Sequence, residues 1–422
     1  MASPTTYTPT LSTDVTKIWR NVQTDVQQGL NFMSEEWEQM DDLKKFKVDW
    51  SSREIIVPLD ITEGVGIASI PEGGYEARPS SPAPQELSLS WVLFNGRFTV
   101  TKTVNWIRQK TPHAMIEDQM RYQALKKVQD LGRHFGDYFY GVSTGYLCQT
   151  STVATATSGT AYTIYNGYGQ STITDATWLA DKFRVGDYVA LVRSAALVTN
   201  GIGTITAISA STPSITVTWN GSVTTVAGDY IVKANSLENG TLAAGTDYNR
   251  GLVGLVDMCV TASVHGLSSA TDANWAPQLA DTTGGRLTGI RLRKAAQTIK
   301  NKGGGTMDKV YLSQGVERDM ISLTNAAVRF SDPNAMELDG SVKYGNVKFK
   351  SSRRVPNGWA IPCASKSIRR LSLLPKPDGS PVWEDGEKIV DRSAYVFSID
   401  FPCATVVLNR ANLAYFNGLT ES

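Results

Sequence analysis

Two strand-like runs, REIIVPLDI (53–61) and QELSLSWVLFNGRFTVTKTV (85–104), are separated by TEGVGIASIPEGGYEARPSSPAP, a stretch rich in Gly, Pro and Ser. Loops inside compact domains seldom exceed about 12–15 residues. An excursion of this length from Arg53 to Val104 needs something outside its own chain to bury against, most simply a neighbouring subunit. Within the second run, Leu87, Leu89, Trp91 and Leu93 alternate and are expected on one face.

The next segment reads as a long helix. Thr111 and Pro112 open it, with Pro112 suited to the first helical position. Met115, Gln119, Tyr122, Leu125, Val128, Leu131 and Phe135 then recur at helical intervals through HAMIEDQMRYQALKKVQDLGRHFGDYFYG. At 1.5 Å per residue such a helix runs for roughly 42 Å. Upstream, residues 1–12 read as a polar, flexible arm. Val15, Trp19, Val22, Val26 and Leu30 share a helical face behind Asp14 as N-cap, and SEEWEQMDDL suggests a second short helix.

Between 150 and 235 the composition shifts to Thr, Ser, Gly, Val and Ile, and charges become sparse. RVGDYVALV, IGTITAIS, SITVTW and AGDYIVKA, punctuated by STPS and WNGS, predict the strands of a small β barrel or sandwich. The basic residues interleaved with aromatics that a nucleic-acid groove requires are missing there. Beyond Gly245 the pattern becomes α/β. Leu287, Ile290, Ala295 and Ile299 space a helix stopped by Gly303, Gly304 and Gly305. DKVYLS predicts a strand, and QGVERDMISLTNA a helix with Val316, Met320 and Leu323 inward. GNVKFKSSRRVPNGWAIPCASKSIRRLSLLP reads as strands turning at PNG. Tyr395, Phe397, Ile399 and Phe401 alternate on the first of two closing strands.

Composition narrows the function classes. Lys and Arg number 41 against 40 Asp and Glu, so bulk charge gives no argument for nucleic-acid or membrane binding. No apolar run approaches the roughly 18 residues of a bilayer span, and MASPTTYTPT lacks the basic and apolar regions of a secretory signal. Cys148, Cys259, Cys363 and Cys403 are scattered with no CxxC pair and read as buried free thiols. His113, His134 and His265 are the only histidines, which leaves little for a zinc site or for His-based catalysis. NKGGGTMD and NGIGTIT match neither a phosphate loop nor a dinucleotide fingerprint. The six-residue spacing of Cys259 and His265 has no supporting third group. The chain therefore reads as a non-enzyme, with no catalytic residues, no metal site and no cofactor. Arg286, Arg291, Arg293, Lys294, Lys300 and Lys302 cluster on one predicted helix. That cluster is either a solvated face or a contact with acidic neighbours or packaged nucleic acid. SEEWEQMDD and VWEDGE could supply the opposite sign in another copy.

The order of parts (arm, two-stranded excursion, long helix, α/β domain, returning strands) resembles the major capsid proteins of tailed bacteriophages, the Hong Kong 97-type fold. MDKVYLSQGVERDMISL and YGNVKFKSSRRVPNGWAIP are the most family-like stretches, and NRGLVGLVDMCV before them also resembles family members. The resemblance implies an α+β fold. Its parts would be an N-terminal arm over 1–50, an E-loop over 51–110, the spine helix of the P domain over 111–149, a P-domain segment over 241–285, an A domain over 286–375 and P-domain return strands over 376–422. Residues 150–240 fall outside the resemblance and read as an inserted all-β barrel or sandwich. Such a module would brace neighbouring capsomers, replace a decoration protein or be a tolerated ornament.

By the same resemblance the chain is a head-shell subunit. It would self-assemble as hexamers and pentamers of an icosahedral shell, with packaged double-stranded DNA on the inner face. A portal and a separate scaffolding protein would be its partners, and no membrane is involved. Assembly would take place in the bacterial host cytoplasm and the product would reside in the virion. Whether a decoration protein binds is left open. Candidate contacts on the excursion are Tyr75, Arg78, Trp91, Phe94 and Arg97, the residue types that dominate interface energetics, with Gly73 and Gly74 letting the tip turn. Some family members cross-link through an E-loop lysine. Residues 51–100 contain no Lys and Lys102 sits at the base, so shell strength is expected to be non-covalent. The first helix begins by Asp14, so no removable scaffold segment is expected ahead of it. Two other readings remain at this point: a tail, baseplate or surface-layer component, and a hydrolase with an accessory β domain.

Overall fold

A five-stranded sheet and a six-stranded sheet are built from the two ends of the chain, and a closed barrel is built from its middle. The structure is a computed structural model. It describes residues 44–47, 55–59, 69, 72, 75, 85–89, 92–101, 127, 131–132, 134–143, 145–150, 154–156, 160–165, 183–193, 196–209, 214–226, 228–233, 252–328, 343–344, 347–352, 354–372, 382–388 and 394–421. The expected arm over 1–12, the helix from Asp14 to Leu30 and most of the spine helix lie outside the described residues.

Strand β22 (Ala394–Val407) is the axis of the five-stranded sheet. Strand β4 (Val92–Thr101) lies antiparallel to it from Ala394 to Cys403. Strand β21 (Val382–Lys388) pairs with it from Tyr395 to Asp400, and β20 (Ile368–Ser372) from Cys403 to Val407. Strand β1 (Lys44–Lys47) adds to β20 in parallel. Period-two alternation puts Phe397, Ile399 and Phe401 into the main core. Phe98 of β4 stacks on Phe397 with ring centroids 5.5 Å apart. Helix α1 (134–140), with helical backbone also at Lys127, Leu131 and Gly132, lays Phe135 and Phe139 on this layer. Phe135 meets Phe401 edge-on at 5.9 Å. The expected single face through Leu87, Leu89 and Leu93 is corrected. Leu87 and Leu89 are buried, but Leu93 is 61% exposed. The strand breaks between β3 (Gln85–Leu89) and β4, and the alternation restarts out of phase, with Phe94 and Phe98 inward.

The six-stranded sheet runs β15 (Leu279–Asp281), β23 (Ala414–Phe416), β19 (Ala360–Cys363), β16 (Lys309–Leu312), β18 (Val347–Ser351), β17 (Lys343–Tyr344). Both faces of β16 and β19 are buried. Tyr311, Ile361 and Cys363 look into the main core. Val310, Leu312 and Ala360 look toward Leu292, Ala295 and Ile299 and toward Val316 and Met320. The first of these sets sits on α3 (Gly289–Thr298) and the π-helical turn Ile299–Gly303 that continues it; the second sits on α4 (Gln314–Val328). The sequence expectation placed Ile290 on the inner face of α3, and it is 83% exposed. At 100° per residue, Ile290 lies some 140° from Ala295 and about 160° from Leu292, so it cannot share their face.

Buried polar groups tie these parts together. Arg354 Nη1 donates to Asp137 Oδ1 at 2.6 Å, joining α1 to the loop between β18 and β19, with both side chains out of solvent. Arg410 is 1% exposed and donates to three main-chain carbonyls, those of Met258 (2.8 Å), Thr261 (2.8 Å) and Trp275 (3.2 Å). It thereby caps the end of α2 (Leu255–Val260), where carbonyls have no helical partner. At the far end of the chain, Glu421 Oε1 accepts from Ser313 Oγ (2.5 Å) and Gly358 N (2.6 Å). A carboxylate at the start of α4 is favoured by the helix dipole.

The middle of the chain closes into a barrel in the order β10 (Ser214–Trp219), β7 (Thr160–Tyr165), β5 (Tyr146–Thr150), β12 (Tyr230–Lys233), β8 (Tyr188–Arg193), β9 (Ala196–Ser209). A small pair, β6 (Ala154–Ala156) with β11 (Val223–Thr225), lies beside it. Leu147, Phe183, Leu191, Ile205, Val217, Trp219 and Ile231 fill the interior. The four strands read from sequence are β8, β9, β10 and β12. Strands β5 and β7 complete the closure, so the barrel begins at Tyr146 rather than at 150. The chain enters and leaves the barrel at one place. Asp257 Oδ2 accepts from Ser143 N, and a Cβ on Gly254 would collide with the carbonyl oxygens of Tyr138 and Gly141. Only glycine permits that approach.

Because Asp137 and Arg354 are buried together, Asp137→Asn removes the charge facing a buried guanidinium and lowers unfolding free energy by about 3–5 kcal/mol. Urea melts followed by Trp fluorescence measure this; a loss below about 1 kcal/mol would show that the pair does not join the two layers.

Candidate assembly surface

The excursion begins as a hairpin. Strand β2 (Ile55–Leu59) pairs antiparallel with β3, from Ile55 opposite Leu89 to Leu59 opposite Gln85. Alternation directs Val57, Leu87 and Leu89 into the chain's own main core and leaves Pro58, Glu86 and Ser88 outward. This corrects the expectation that the whole excursion buries against another copy, since its base is part of its own subunit. A second hairpin, β13 (Ser263–Val264) with β14 (Leu267–Ser268), holds that base. Its two-residue tip is His265–Gly266, both with positive φ (54° and 84°), as a tight type I′ hairpin turn requires. Ser88 N donates to His265 O at 3.0 Å. Between β2 and β3, Ser69, Glu72 and Tyr75 are described and all are exposed, Tyr75 completely.

The proposed contact residues separate into groups. Tyr75 and Arg97 are open to solvent. Phe94 is not available to a partner: it is 6% exposed and packs edge-on against Phe135 (5.8 Å) and His134 (6.0 Å) and tilted against Tyr138 (5.8 Å). The alternation of β4 is out of phase with that of β3, and this places Phe94 inward. Gly73, Gly74, Arg78 and Trp91 lie outside the described residues.

The basic cluster also divides. Arg291 is a structural residue. It donates to Asp281 Oδ2 (3.2 Å), Gly284 O (2.7 Å) and Thr283 Oγ1 (2.9 Å), and its guanidinium lies 5.4 Å from the Phe416 ring centroid. The Thr283 hydroxyl, and then Arg291, hold the Asp281 carboxyl down to about 2. Arg286 lies 3.3 Å from the buried carboxylate of Asp319. Lys302 Nζ donates to Gln278 Oε1 at 3.1 Å. Arg293, Lys294 and Lys300 project outward together with Ile290. Ile290 is the member of this face that the sequence reading missed; counting helical turns from the Thr288 N-cap, whose Oγ1 accepts from Arg291 N, would have placed it there.

The described cysteines and His265 are not arranged as a nucleophile and base. All four cysteines are buried and free. Burial pushes the Cys259 thiol up to about 12 and raises those of Cys363 and Cys403. Burial, reinforced by the Arg410 charge, holds the His265 imidazole down to about 4. A thiolate–imidazolium pair requires both shifts in the opposite sense. Among the described residues no group of three or more His, Cys, Asp or Glu is placed to hold a metal ion, and no helix is long and apolar enough to cross a membrane.

No family model matches the sequence, and no curated protein does. Solved structures do match. The capsid asymmetric unit of cyanophage A-1(L) superposes with a TM-score of 0.52 at 11% identity, covering 92% of this chain and 94% of that one. The capsid of a native GTA particle (TM-score 0.43, 8% identity, 91% and 90% covered) and an encapsulin complex from Synechococcus elongatus (0.42, 11%, 92% and 89%) are more distant. The fold is thus the α+β fold of a Hong Kong 97-type capsid subunit.

The anchoring hairpin carries a pH signature. An ordinary imidazole titrates near 6.5, so the unfolded chain takes up a proton on His265 before the folded one does. The contribution of this residue is complete above about pH 6.5 and is lost as pH falls toward 4. His265→Asn, which tolerates the left-handed backbone, should flatten the fall in stability over that window by up to about 3 kcal/mol. A pH series of thermal and urea melts measures it; superimposable slopes for both proteins would exclude His265 as the titrating group.

Proposed function

We propose that this chain is the major capsid protein of a tailed bacteriophage, which self-assembles into the icosahedral head shell around packaged double-stranded DNA. The observation that carries the reading is the match to the cyanophage A-1(L) capsid subunit over nearly the whole of both chains. The open part of the hairpin supports it: a fully exposed Tyr75 on a segment whose base is locked into the core is built to meet another molecule.

The physical work of such a protein is association. A shell needs many moderate contacts, so that misplaced copies can leave and be replaced. Interfaces of about 1,200–2,000 Å² serve that purpose. Rings of six and five made from one sequence need contacts between two different patches of each copy. The excursion around the exposed Tyr75 supplies one such patch. A separate scaffolding protein, a portal and the packaged DNA complete the set of partners in this reading. Assembly takes place in the host cytoplasm and the product is the virion head. Shell strength rests on non-covalent contacts, since the excursion carries no lysine between 51 and 100.

The barrel is an insertion in this reading. Its two connections converge at Gly141–Ser143 and Gly254–Asp257, so the host core does not depend on what lies between them. It has its own interior and projects from the subunit to brace the shell or stand in for a decoration protein.

Two experiments test the reading. Electron microscopy of the expressed protein, alone and with a candidate scaffold, should show rings, shells or tubes; a persistent monomer under all conditions would sink it. Replacing 146–251 by a short Gly/Ser linker should leave a folded protein that still assembles, with particle stability lowered if the barrel braces neighbours. Failure of the shortened chain to fold would show that the barrel belongs to the core.

A further inference from the structure

The near-zero net charge conceals a local excess. Residues 282–307 contain six Lys and Arg and no Asp or Glu, while the chain as a whole has 41 against 40. Three of the six are already engaged. Arg286 lies beside Asp319, Arg291 is paired with Asp281, and Lys302 donates to Gln278. The other three, Arg293, Lys294 and Lys300, meet no carboxylate among the described residues.

Helix α3 and its π-helical turn set these three on one face. Leu292, Ala295 and Ile299 bury the inner side against the six-stranded sheet. At 100° per residue, Lys300, Arg293, Gln297, Ile290 and Lys294 fall within an arc of about 120° on the other side, and all five are exposed. From Ile290 to Lys300 the face is about 15 Å long. Residues 289–303 include no aromatic side chain, the kind that most often anchors a protein–protein contact. Long cations without carboxylate partners, set along a straight face, fit a row of phosphates instead. One strand of a duplex advances about 3.4 Å per nucleotide, so the face spans roughly four nucleotides.

We infer that the outer face of α3 binds the phosphate backbone of duplex DNA, with Arg293, Lys294 and Lys300 on phosphates and Ile290 against the sugars between them. The contact reads no bases, because cations on phosphates carry no sequence information. Three cations also keep it weak. Non-specific contacts of this kind have a Kd of about 10⁻⁴–10⁻⁶ M, so the duplex can shift along the face, and only many copies held side by side retain it firmly. This deepens the capsid reading and rests on it for the DNA that the face meets in the particle, where the α3 side of the six-stranded sheet is then turned to the shell interior. The affinity of a free subunit for a duplex does not depend on that reading.

The test is the salt dependence of binding by the full-length chain to a fluorescent duplex of about 30 base pairs, followed by anisotropy from about 50 to 300 mM NaCl. Three phosphate contacts predict that log K falls against log [NaCl] with a slope of about −2.7. Arg293→Gln, Lys294→Gln and Lys300→Gln should each bring that slope about 0.9 closer to zero, and the triple variant should lose at least about tenfold in affinity at about 50 mM NaCl. Arg293→Lys should keep the slope. Ile290→Ser should weaken binding with the slope unchanged, because its contact is uncharged. All four positions are exposed, and unchanged melting temperatures would show that the folds are intact. Failure to bind the duplex at about 50 mM NaCl, or a slope that the Gln variants leave unmoved, overturns the inference. So does a face whose cations prove necessary for binding polyglutamate or anionic vesicles and not for binding the duplex. Variants that lose the duplex and still form shells support the inference and leave the capsid reading standing. A chain that binds the duplex through these cations and never assembles supports the inference and sinks the capsid reading.

Discussion

The buried contact between Asp137 and Arg354 is the constraint on which the arrangement turns. The two residues are 217 positions apart, and everything from the barrel to β18 lies between them in the chain. Two charges are removed from water only where geometry compensates them closely. A 2.6 Å charge-assisted bond with both groups enclosed therefore fixes α1 against the six-stranded sheet in one register. Arg410 acts in the same way one layer away, by supplying three donors to carbonyls that the end of α2 and the following turn leave open. The apolar core supplies the bulk of the stability, and these cations select which packing of that core is populated.

How much of this could be read beforehand depended on the range of the signal. The alternation through Phe397, Ile399 and Phe401 is local, and it placed a central strand correctly. The glycines after Ile299 marked the end of α3, although the helix widens to a π-turn before stopping at Gly304, in the left-handed conformation. The barrel was legible as four strands because their turns are punctuated. Strands β5 and β7 were not, because Tyr146–Thr150 pairs with partners 81–86 positions away and Thr160–Tyr165 with partners 51–57 positions away. Phe94 and Ile290 failed for different reasons. Phe94 was proposed as a contact from its residue type, which does not tell an interface aromatic from a core one, and Ile290 was given a face by counting from Leu287 across the Thr288 cap, where the helical period begins.

The surface was less legible than the core. Exposure of Tyr75 cannot be inferred from its type, since aromatic residues are more often inside. The role of Arg291 depends on Asp281, Thr283 and Gly284, which a turn brings within reach. The division of the basic cluster into structural and outward members rests on contacts that no local pattern shows. No motif announces such a division, because both kinds of arginine occupy the same helix only two residues apart.

The closing segment sets a rule for biosynthesis. Strand β23 lies between β15 and β19, so the edge strand β15 has no neighbour in the six-stranded sheet until residues 414–416 arrive, and Glu421 must follow to seat the start of α4. A ribosome-bound chain is consequently unable to complete this layer while residues 414–421 are still inside the exit tunnel. Polypeptides cut short before residue 414 leave β15 unpaired and the 313–358 side of this layer without its carboxylate.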